Sequence, residues 1–215
     1  MKKDLLELVF ILDRSGSMCG LERDTIGGFN GMMEKQKKEN GEVVVTTVLF
    51  DDKVELLHDR MDIRALSPLT DKDYYVRGCT ALLDALGSTI TRIARNHAHM
   101  AEDYRPGKTL FVIITDGYEN ASREYSRAKV KELIEQEKRK HGWEFLFLGA
   151  NIDAVATAET IGIDEDHSAD FHADEKGVGL NYEVLSDAVS CARACAAPLG
   201  KKWKRRVEED YELRK

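Results

Sequence analysis

The segment FILDRSGSM, at residues 10–18, changes from apolar to polar at Asp13 and then places Ser15 and Ser17 at alternate positions. A carboxylate and two hydroxyls separated by single residues present several oxygen atoms on one short turn, in which Gly16 gives the backbone freedom. Hard cations such as Mg²⁺ and Ca²⁺ prefer oxygen ligands of this kind. Ordinary surface turns also contain these residue types, so the segment alone leaves both interpretations open.

Two other segments offer oxygen-bearing side chains at comparable places. KTLFVIITDG ends an apolar run on Asp116, and RGCTALLDAL places Thr80 just after Gly78, near the start of a predicted helix. A role as helix N-cap would also explain Thr80. The absence of thiols and imidazoles from the combined set favours Mg²⁺, Mn²⁺ or Ca²⁺ over zinc or copper. The candidate metal ligands are Asp13, Ser15, Ser17, Thr80 and Asp116.

Strands and helices are predicted to alternate around these segments. Continuous apolar runs indicate strands buried on both faces at 5–12 and 108–116. β-Branched patterns predict a hairpin formed by 42–50 and 53–60. Further strands are predicted at 143–150 and, as a short edge strand, at 168–173. Apolar residues at helical spacing predict helices at 21–39, 80–104, 123–141, 152–161 and 181–197.

This alternation favours an α/β fold, a doubly wound and mostly parallel sheet with one antiparallel edge strand and helices on both faces. Ligands of such sheets bind outside the carboxyl ends of the strands, where the strand order reverses. Because Asp13 and Asp116 each end a predicted buried strand, we expect both carboxylates at one edge of the sheet. We expect one domain over residues 1–200, with a charged tail or helix end at 201–215.

Composition limits the classes of partner. The chain has 215 residues and a net charge of -7, which argues against nucleic acid as a partner. Basic residues cluster in KKWKRR at 201–206, but EED follows directly, which favours a solvated helix face or a docking segment. No apolar run is long enough to span a membrane, and Asp4 and Glu7 interrupt the first one. With only four cysteines, we expect a cytoplasmic protein without a membrane partner.

The three polar segments together resemble the metal-ion-dependent adhesion site (MIDAS) of von Willebrand factor type A domains. That site consists of Asp-x-Ser-x-Ser, then a distant Thr and a distant Asp, and DRSGS, the Thr of GCT and the Asp of TDG occur here in this order. The resemblance covers residues 4–198 and implies a binding module rather than an enzyme. It implies that the cation contacts three hydroxyls and two carboxylates, the latter directly or through water: Ser15, Ser17, Thr80, Asp13 and Asp116.

The resemblance also implies a protein partner. In family members the cation often bridges to an Asp or Glu of the partner, and stand-alone intracellular members in bacteria often act beside ATPases or chelatase-like machines. The departures from the family pattern are Cys79, where a small or polar residue is more usual, and Cys19, which closely follows the first segment. We expect both thiols to be small buried groups, with a disulfide that gates the site as the alternative.

Two other functions stay open at this point. An Asp at the end of the first parallel strand is also the nucleophile of haloacid-dehalogenase-like phosphatases, but these enzymes have a second Asp as general acid where this chain has Ser15. Alternatively, the cation serves only to hold three loops together. A nucleotide-binding site is disfavoured, because no G-x-G-x-x-G follows the first strand and no P-loop motif occurs.

Overall fold

A six-stranded sheet forms the centre of the computed structural model, which describes residues 1–195 and 197–215 apart from the side chain of Lys3. The strands are β1 (Lys2–Asp13), β2 (Glu42–Phe50), β3 (Val54–Asp62), β4 (Pro106–Asp116), β5 (Glu144–Ala150) and β6 (Ser168–Asp170). The helices are α1 (Glu22–Lys37), α2 (Leu82–His99), α3 (Arg127–His141), α4 (Ala154–Thr160), α5 (Glu175–Ala194) and α6 (Arg205–Leu213).

The strand order is β3-β2-β1-β4-β5-β6. All neighbouring pairs are parallel except β2 and β3, which form the antiparallel hairpin at one edge. The predicted fold class is therefore confirmed. The chain moves from β1 to one side of the sheet and later returns to β4 on the other side, so the strand order reverses between β1 and β4. The carboxyl ends of these two strands form the crevice in which such folds bind ligands.

Two apolar clusters cover the two faces of the sheet. Along β1 the side chains alternate, so that Leu8 and Phe10 belong to the cluster containing α1 and α5, whereas Val9 and Ile11 belong to the cluster containing α2 and α3. All four are completely buried. This double burial explains why the strand is a continuous apolar run, and it holds the polar residues that follow it in a fixed position.

Three glycines lie within α1 in the segment IGGFNG at residues 26–31, and one of them, Gly28, allows close packing. A Cβ atom on Gly28 would lie only 2.2 Å from a ring carbon of Tyr182 on α5. The two helices therefore approach each other through a position that has no side chain, and Tyr182 is 3% exposed. Helix packing therefore explains Gly28, and the segment is helix rather than a phosphate-binding loop.

Two predicted helix starts are wrong. The helix predicted at 123–141 begins at Arg127, because Ser126 caps it by accepting a hydrogen bond from the Lys129 N–H at 3.2 Å. The helix predicted at 181–197 begins at Glu175, where Asp174 accepts from the Gly177 N–H at 2.8 Å. Two glycines in its first turns conceal this start in the sequence. Its predicted end crosses residue 196, which lies outside the described residues, and α5 ends at Ala194.

Other boundaries also differ. The helix predicted at 80–104 is divided into α2 and a separate 3₁₀ turn at Glu102–Tyr104. The predicted edge strand at 168–173 ends at Asp170, whereas β1 is longer than predicted at both ends. At the C-terminus a 3₁₀ turn at Lys201–Lys204 leads into α6, which buries Val207 in the core. The division at residue 200 stays a prediction. None of the described helices has both the length and the apolar character needed to cross a bilayer.

Candidate metal centre

The carboxylates of Asp13 and Asp116 lie together at the carboxyl ends of the neighbouring strands β1 and β4. Asp13 Oδ2 accepts hydrogen bonds from the Thr115 hydroxyl at 2.7 Å and from the Asp116 N–H at 3.2 Å. Both aspartates are 1% exposed. The structure therefore brings the two candidate carboxylates to one edge of the sheet and fixes the orientation of Asp13.

The serines lie on a tight turn that begins where β1 ends. The Ser15 N–H donates to Asp13 Oδ1 at 2.7 Å, and a 3₁₀ turn follows at Gly16–Met18. The turn brings Ser15 Oγ and Ser17 Oγ to 3.0 Å from each other, and the Ser17 hydroxyl donates to the backbone carbonyl of Asp116. Two hydroxyls and two carboxylates thus come from two loops that contact each other directly.

Thr80 lies on a third loop, which is bonded to both of the others. The Gly16 N–H donates to the Gly78 carbonyl at 3.1 Å. The Thr80 N–H donates to Asn120 Oδ1 at 2.9 Å, and the Thr80 carbonyl accepts from the Asn120 N–H at 3.0 Å. The backbone of Thr80 is therefore anchored without its hydroxyl. Thr80 is not the N-cap of α2, because that position belongs to Ala81, which has no capping side chain.

The neighbouring loop caps α2 instead. Glu119 accepts a hydrogen bond from the Leu83 N–H at 2.9 Å, and the Ser122 hydroxyl accepts from the Asp84 N–H at 3.0 Å. Glu119 and Asn120 closely follow Asp116, and this position in the sequence could have indicated that they belong to the site. Their contacts show that they join the β4 loop to the Thr80 loop and are more than ordinary turn residues.

A buried ion-pair network, which the sequence analysis missed, supports the same loops. Arg14 is completely buried and donates through Nε to Asp51 Oδ2 at 2.8 Å, and Arg77 donates to the same oxygen at 2.6 Å. The Asp51 carbonyl accepts from the Ala81 N–H at 2.7 Å. Burial alone would raise the pKa of Asp51, but hydrogen bonds from Arg77, the Lys53 N–H and Arg14 hold it below its ordinary value. Asp51 thus connects the serine turn to the Thr80 loop.

The two candidate carboxylates have no such positive partner. Burial raises the pKa of Asp13, although hydrogen bonds from Ser15 and Thr115 oppose the shift. Burial also raises the pKa of Asp116, against the hydrogen bond from Asn151. Asn151 follows β5 with a left-handed φ of 56°, and it was missed in the sequence analysis. In residues 1–195 and 197–215 no Lys, Arg or His forms an ion pair with either aspartate, so a cation would supply the missing positive charge.

The serine hydroxyls are hydrogen-bonded to each other, and their spacing also fits two ligands of a hard cation. Two oxygens bound to Mg²⁺ at about 2.0–2.1 Å on adjacent octahedral positions are about 2.9 Å apart, close to the observed 3.0 Å between the serine hydroxyls. Among the described residues no group of three or more His, Cys, Asp or Glu side chains could hold a metal ion. Metal binding at this site would therefore depend on serine and threonine hydroxyls.

The thiols near the site differ from expectation. Cys19 and Cys79 are both exposed and free, so the expected burial is wrong. Cys19 directly follows the serine turn. Cys79 directly follows Gly78, whose carbonyl accepts a hydrogen bond from that turn, so both thiols lie on loops of the candidate site.

Comparison with solved structures identifies the fold. PTMP1 (proximal thread matrix protein 1) from the mussel byssus, with a zinc-occupied MIDAS motif, is 16% identical with a TM-score of 0.58, covering 86% of this chain and 46% of its own. A von Willebrand factor type A structure from Catenulispora acidiphila is 13% identical with a TM-score of 0.58, covering 86% and 42%. This chain has the von Willebrand factor type A fold.

A third structure with this type A fold is manganese-loaded TRAP protein from Plasmodium vivax, which is 19% identical with a TM-score of 0.59 and covers 84% of this chain and 73% of its own. The chain spans less than half the length of the PTMP1 and Catenulispora chains. No protein-family model matches the sequence, and no curated protein matches it. The type A fold is therefore identified by structural similarity, and the candidate site is identified by the residues of this chain described above.

Proposed function

We propose that this protein is a divalent-cation-dependent module that binds another protein. In this proposal the cation is held by hydroxyl and carboxylate oxygens of the three loops, and its open position accepts an Asp or Glu side chain of the partner. The residues that would hold the cation are Ser15, Ser17, Thr80, Asp13 and Asp116.

One observation carries the proposal. Two carboxyl groups, each 1% exposed, lie at the switch point of the sheet without a positive partner among the described residues. Burying a negative charge is costly, and the hydrogen bonds that Asp13 and Asp116 accept oppose the rise of their pKa values without cancelling it. A divalent cation between these carboxylates and the nearby hydroxyls would compensate the remaining cost. The two carboxylates would balance the charge of the divalent cation, and five ligands would leave one of the six octahedral positions of Mg²⁺ open to a carboxylate of the partner.

Mg²⁺ is the preferred cation, with Mn²⁺ or Ca²⁺ as alternatives, because all five candidate ligands are hard oxygens. Among proteins with this fold, the PTMP1 structure has zinc in its MIDAS motif and the TRAP structure is loaded with manganese. Zinc therefore belongs in any titration of this site, although the ligand chemistry favours a harder ion.

We propose a binding role rather than catalysis. Three donors, the N–H groups of Ser15 and Asp116 and the hydroxyl of Thr115, hold the carboxylate of Asp13. A nucleophilic aspartate would need an accessible oxygen and a general acid nearby. Ser15 stands where phosphatases of the haloacid dehalogenase type have that acid.

Calorimetric titration of metal-free protein with Mg²⁺, Mn²⁺, Ca²⁺ and Zn²⁺ tests the site. We expect one ion per chain for wild type and at least about tenfold weaker binding for Asp116→Asn. Asp153→Asn is the matched control, because it removes one negative charge from the helix cap that follows β5 and Asn can also cap. Equal binding by wild type and Asp116→Asn would contradict the site.

Affinity capture from a native lysate, with and without Mg²⁺, tests the partner. We expect a protein that is retained with Mg²⁺, released by a chelator and not retained by Asp116→Asn. If the chain binds the ion tightly but every captured protein is retained equally without it, the ion has only a structural role.

A further inference from the structure

A groove lies between α5 and the C-terminal segment, on elements that do not form the metal site. It has a volume of about 570 Å³, within the range of about 300–1,000 Å³ typical of ligand sites. One wall is a stripe on α5 formed by Val184, Ala188 and Cys191, at helical spacing. The other wall contains Leu199 and Trp203. The floor and walls are therefore mostly apolar.

The wall opposite α5 is fixed in position. The Trp203 indole N–H donates to the Asp166 carbonyl at 3.0 Å. Lys204 is 4% exposed and its Nζ donates to the Glu165 carbonyl at 2.7 Å and to the Ser168 carbonyl at 3.0 Å. These bonds attach the 3₁₀ turn at Lys201–Lys204 to the segment that leads into β6. The groove is thus formed before a ligand arrives, which lowers the entropy cost of binding.

The rim of this groove is positive in a chain whose net charge is -7. Lys201 and Lys202 are exposed and form no ion pair with the described residues, and Arg205 and Arg206 lie beside them. Arg206 is already paired with Glu183 at 2.7 Å. The two lysines therefore remain available, and such a local positive field attracts negatively charged ligands.

We propose that this groove binds a peptide segment of a partner protein that carries one bulky apolar side chain next to acidic residues. The apolar side chain packs against Trp203 and the α5 stripe, and the neighbouring carboxylates pair with Lys201 and Lys202. One aromatic wall and unpaired cations around an apolar centre suit an acidic peptide with one anchor residue. This binding is independent of the metal site.

The charges on the other side of the rim argue against nucleic acid or an anionic membrane. Asp187 borders the groove on α5, Glu183 pairs with Arg206 beside it, and Glu208 and Glu209 follow the basic residues on α6. A polyphosphate backbone or a lipid surface would meet these carboxylates together with the lysines. A short peptide can place its own negative charges at the two lysines alone.

Selection of a displayed 12-residue peptide library on the full chain provides the test. We expect enriched peptides to share one aromatic or large aliphatic residue beside Asp or Glu. Trp203 serves as the reporter in a Trp143→Phe variant, since the chain has two tryptophans and Trp143 is buried. Binding of a synthetic copy of an enriched peptide should shift the emission of Trp203, with or without a chelator.

Exposed positions supply variants that preserve folding. The double change Lys201→Glu with Lys202→Glu should weaken binding of the peptide about tenfold. Cys191→Phe should also weaken binding, because the larger side chain fills the groove. Lys38→Glu with Lys140→Glu is the matched control, because both lysines are exposed and distant in sequence, and we expect a change below about twofold. Failure to enrich such peptides overturns the proposal, as does equal binding to the groove variants. Binding of duplex DNA or phosphatidylserine vesicles that the two lysine changes abolish and the peptide does not displace also overturns it.

Discussion

Replacement of Asp51 by Asn should destabilise the protein and weaken its metal site. Asp51 is completely buried and accepts charged hydrogen bonds from Arg14 at 2.8 Å and from Arg77 at 2.6 Å. An amide is neutral and cannot balance two guanidinium charges. Its NH₂ group would also face a donor, because Oδ1 accepts from the Lys53 N–H at 2.8 Å and Oδ2 accepts from the two arginines.

The expected size of the effect follows from the burial of the partners. Removal of one member of a buried ion pair costs about 3–5 kcal/mol, since the other charge stays buried. Arg14 keeps its bond to Glu55 at 2.6 Å, and 36% of the Arg77 side chain is exposed. Both facts place the loss of unfolding free energy at the lower end, about 3 kcal/mol. Because Arg77 leads into the loop that carries Thr80, we expect about tenfold weaker Mg²⁺ binding, equivalent to about 1.4 kcal/mol.

Urea unfolding in the presence of a chelator measures the first quantity, and calorimetric titration with Mg²⁺ measures the second under conditions in which both proteins are folded. Asp71→Asn is the control, since it removes the same charge from an exposed residue outside the network. A loss of unfolding free energy below about 1 kcal/mol would refute the reasoning about buried charge. Unchanged affinity in the folded variant would show that the network does not position Thr80.

Three further predictions concern acid, catalysis and thiols. Burial would raise the pKa of Asp174, but hydrogen bonds from the Gly177 N–H and Arg214 hold it below its ordinary value of 3.8. Its contribution to stability is therefore present above 3.8 and lost as the pH falls through the lowered pKa. Thermal unfolding should show a deficit of Asp174→Asn at neutral pH that disappears in strong acid. Purified protein should not hydrolyse a panel of phosphomonoesters, and turnover that Asp13→Asn abolishes would restore the phosphatase interpretation. Wild type and Cys19→Ala, each treated with oxidised glutathione, should have the same Mg²⁺ affinity in titration, whereas oxidant-dependent loss in wild type alone would establish a disulfide gate.

The sequence was sufficient to predict what depends on local patterns. Double burial makes β1 and β4 continuous apolar runs, and each run ends on an aspartate, so the edge shared by Asp13 and Asp116 could be predicted from the topology. The buried ion-pair network around Asp51 could not be predicted in this way. Arg14 meets Asp51 across 37 positions, and no periodicity indicates which of many charged residues will be buried together.

The missed helix start has a similar explanation. Gly177 and Gly179 disfavour a helix by propensity, yet Asp174 caps it and Gly177 lies where a Cβ would come within 2.0 Å of the His172 carbonyl. Close tertiary contact therefore requires the residue that local preference disfavours. Thr80 shows the opposite case. The sequence left an N-cap role open for it, but Ala81 occupies that position and Glu119 on a neighbouring loop supplies an acceptor for the first turn of α2.

The bonds that join the three site loops separate folding from metal loading. Backbone contacts such as Gly16 to Gly78 and Thr80 to Asn120 hold the candidate ligands in position through protein groups alone. A zinc finger, in contrast, folds only when its ion binds, so its ion is effectively permanent. In this protein the binding of an ion would not have to order any loop, and loss of the ion would leave the domain folded. Occupancy could then follow the concentrations of free ion and partner reversibly, as suits a contact that forms and dissociates within the lifetime of one protein molecule.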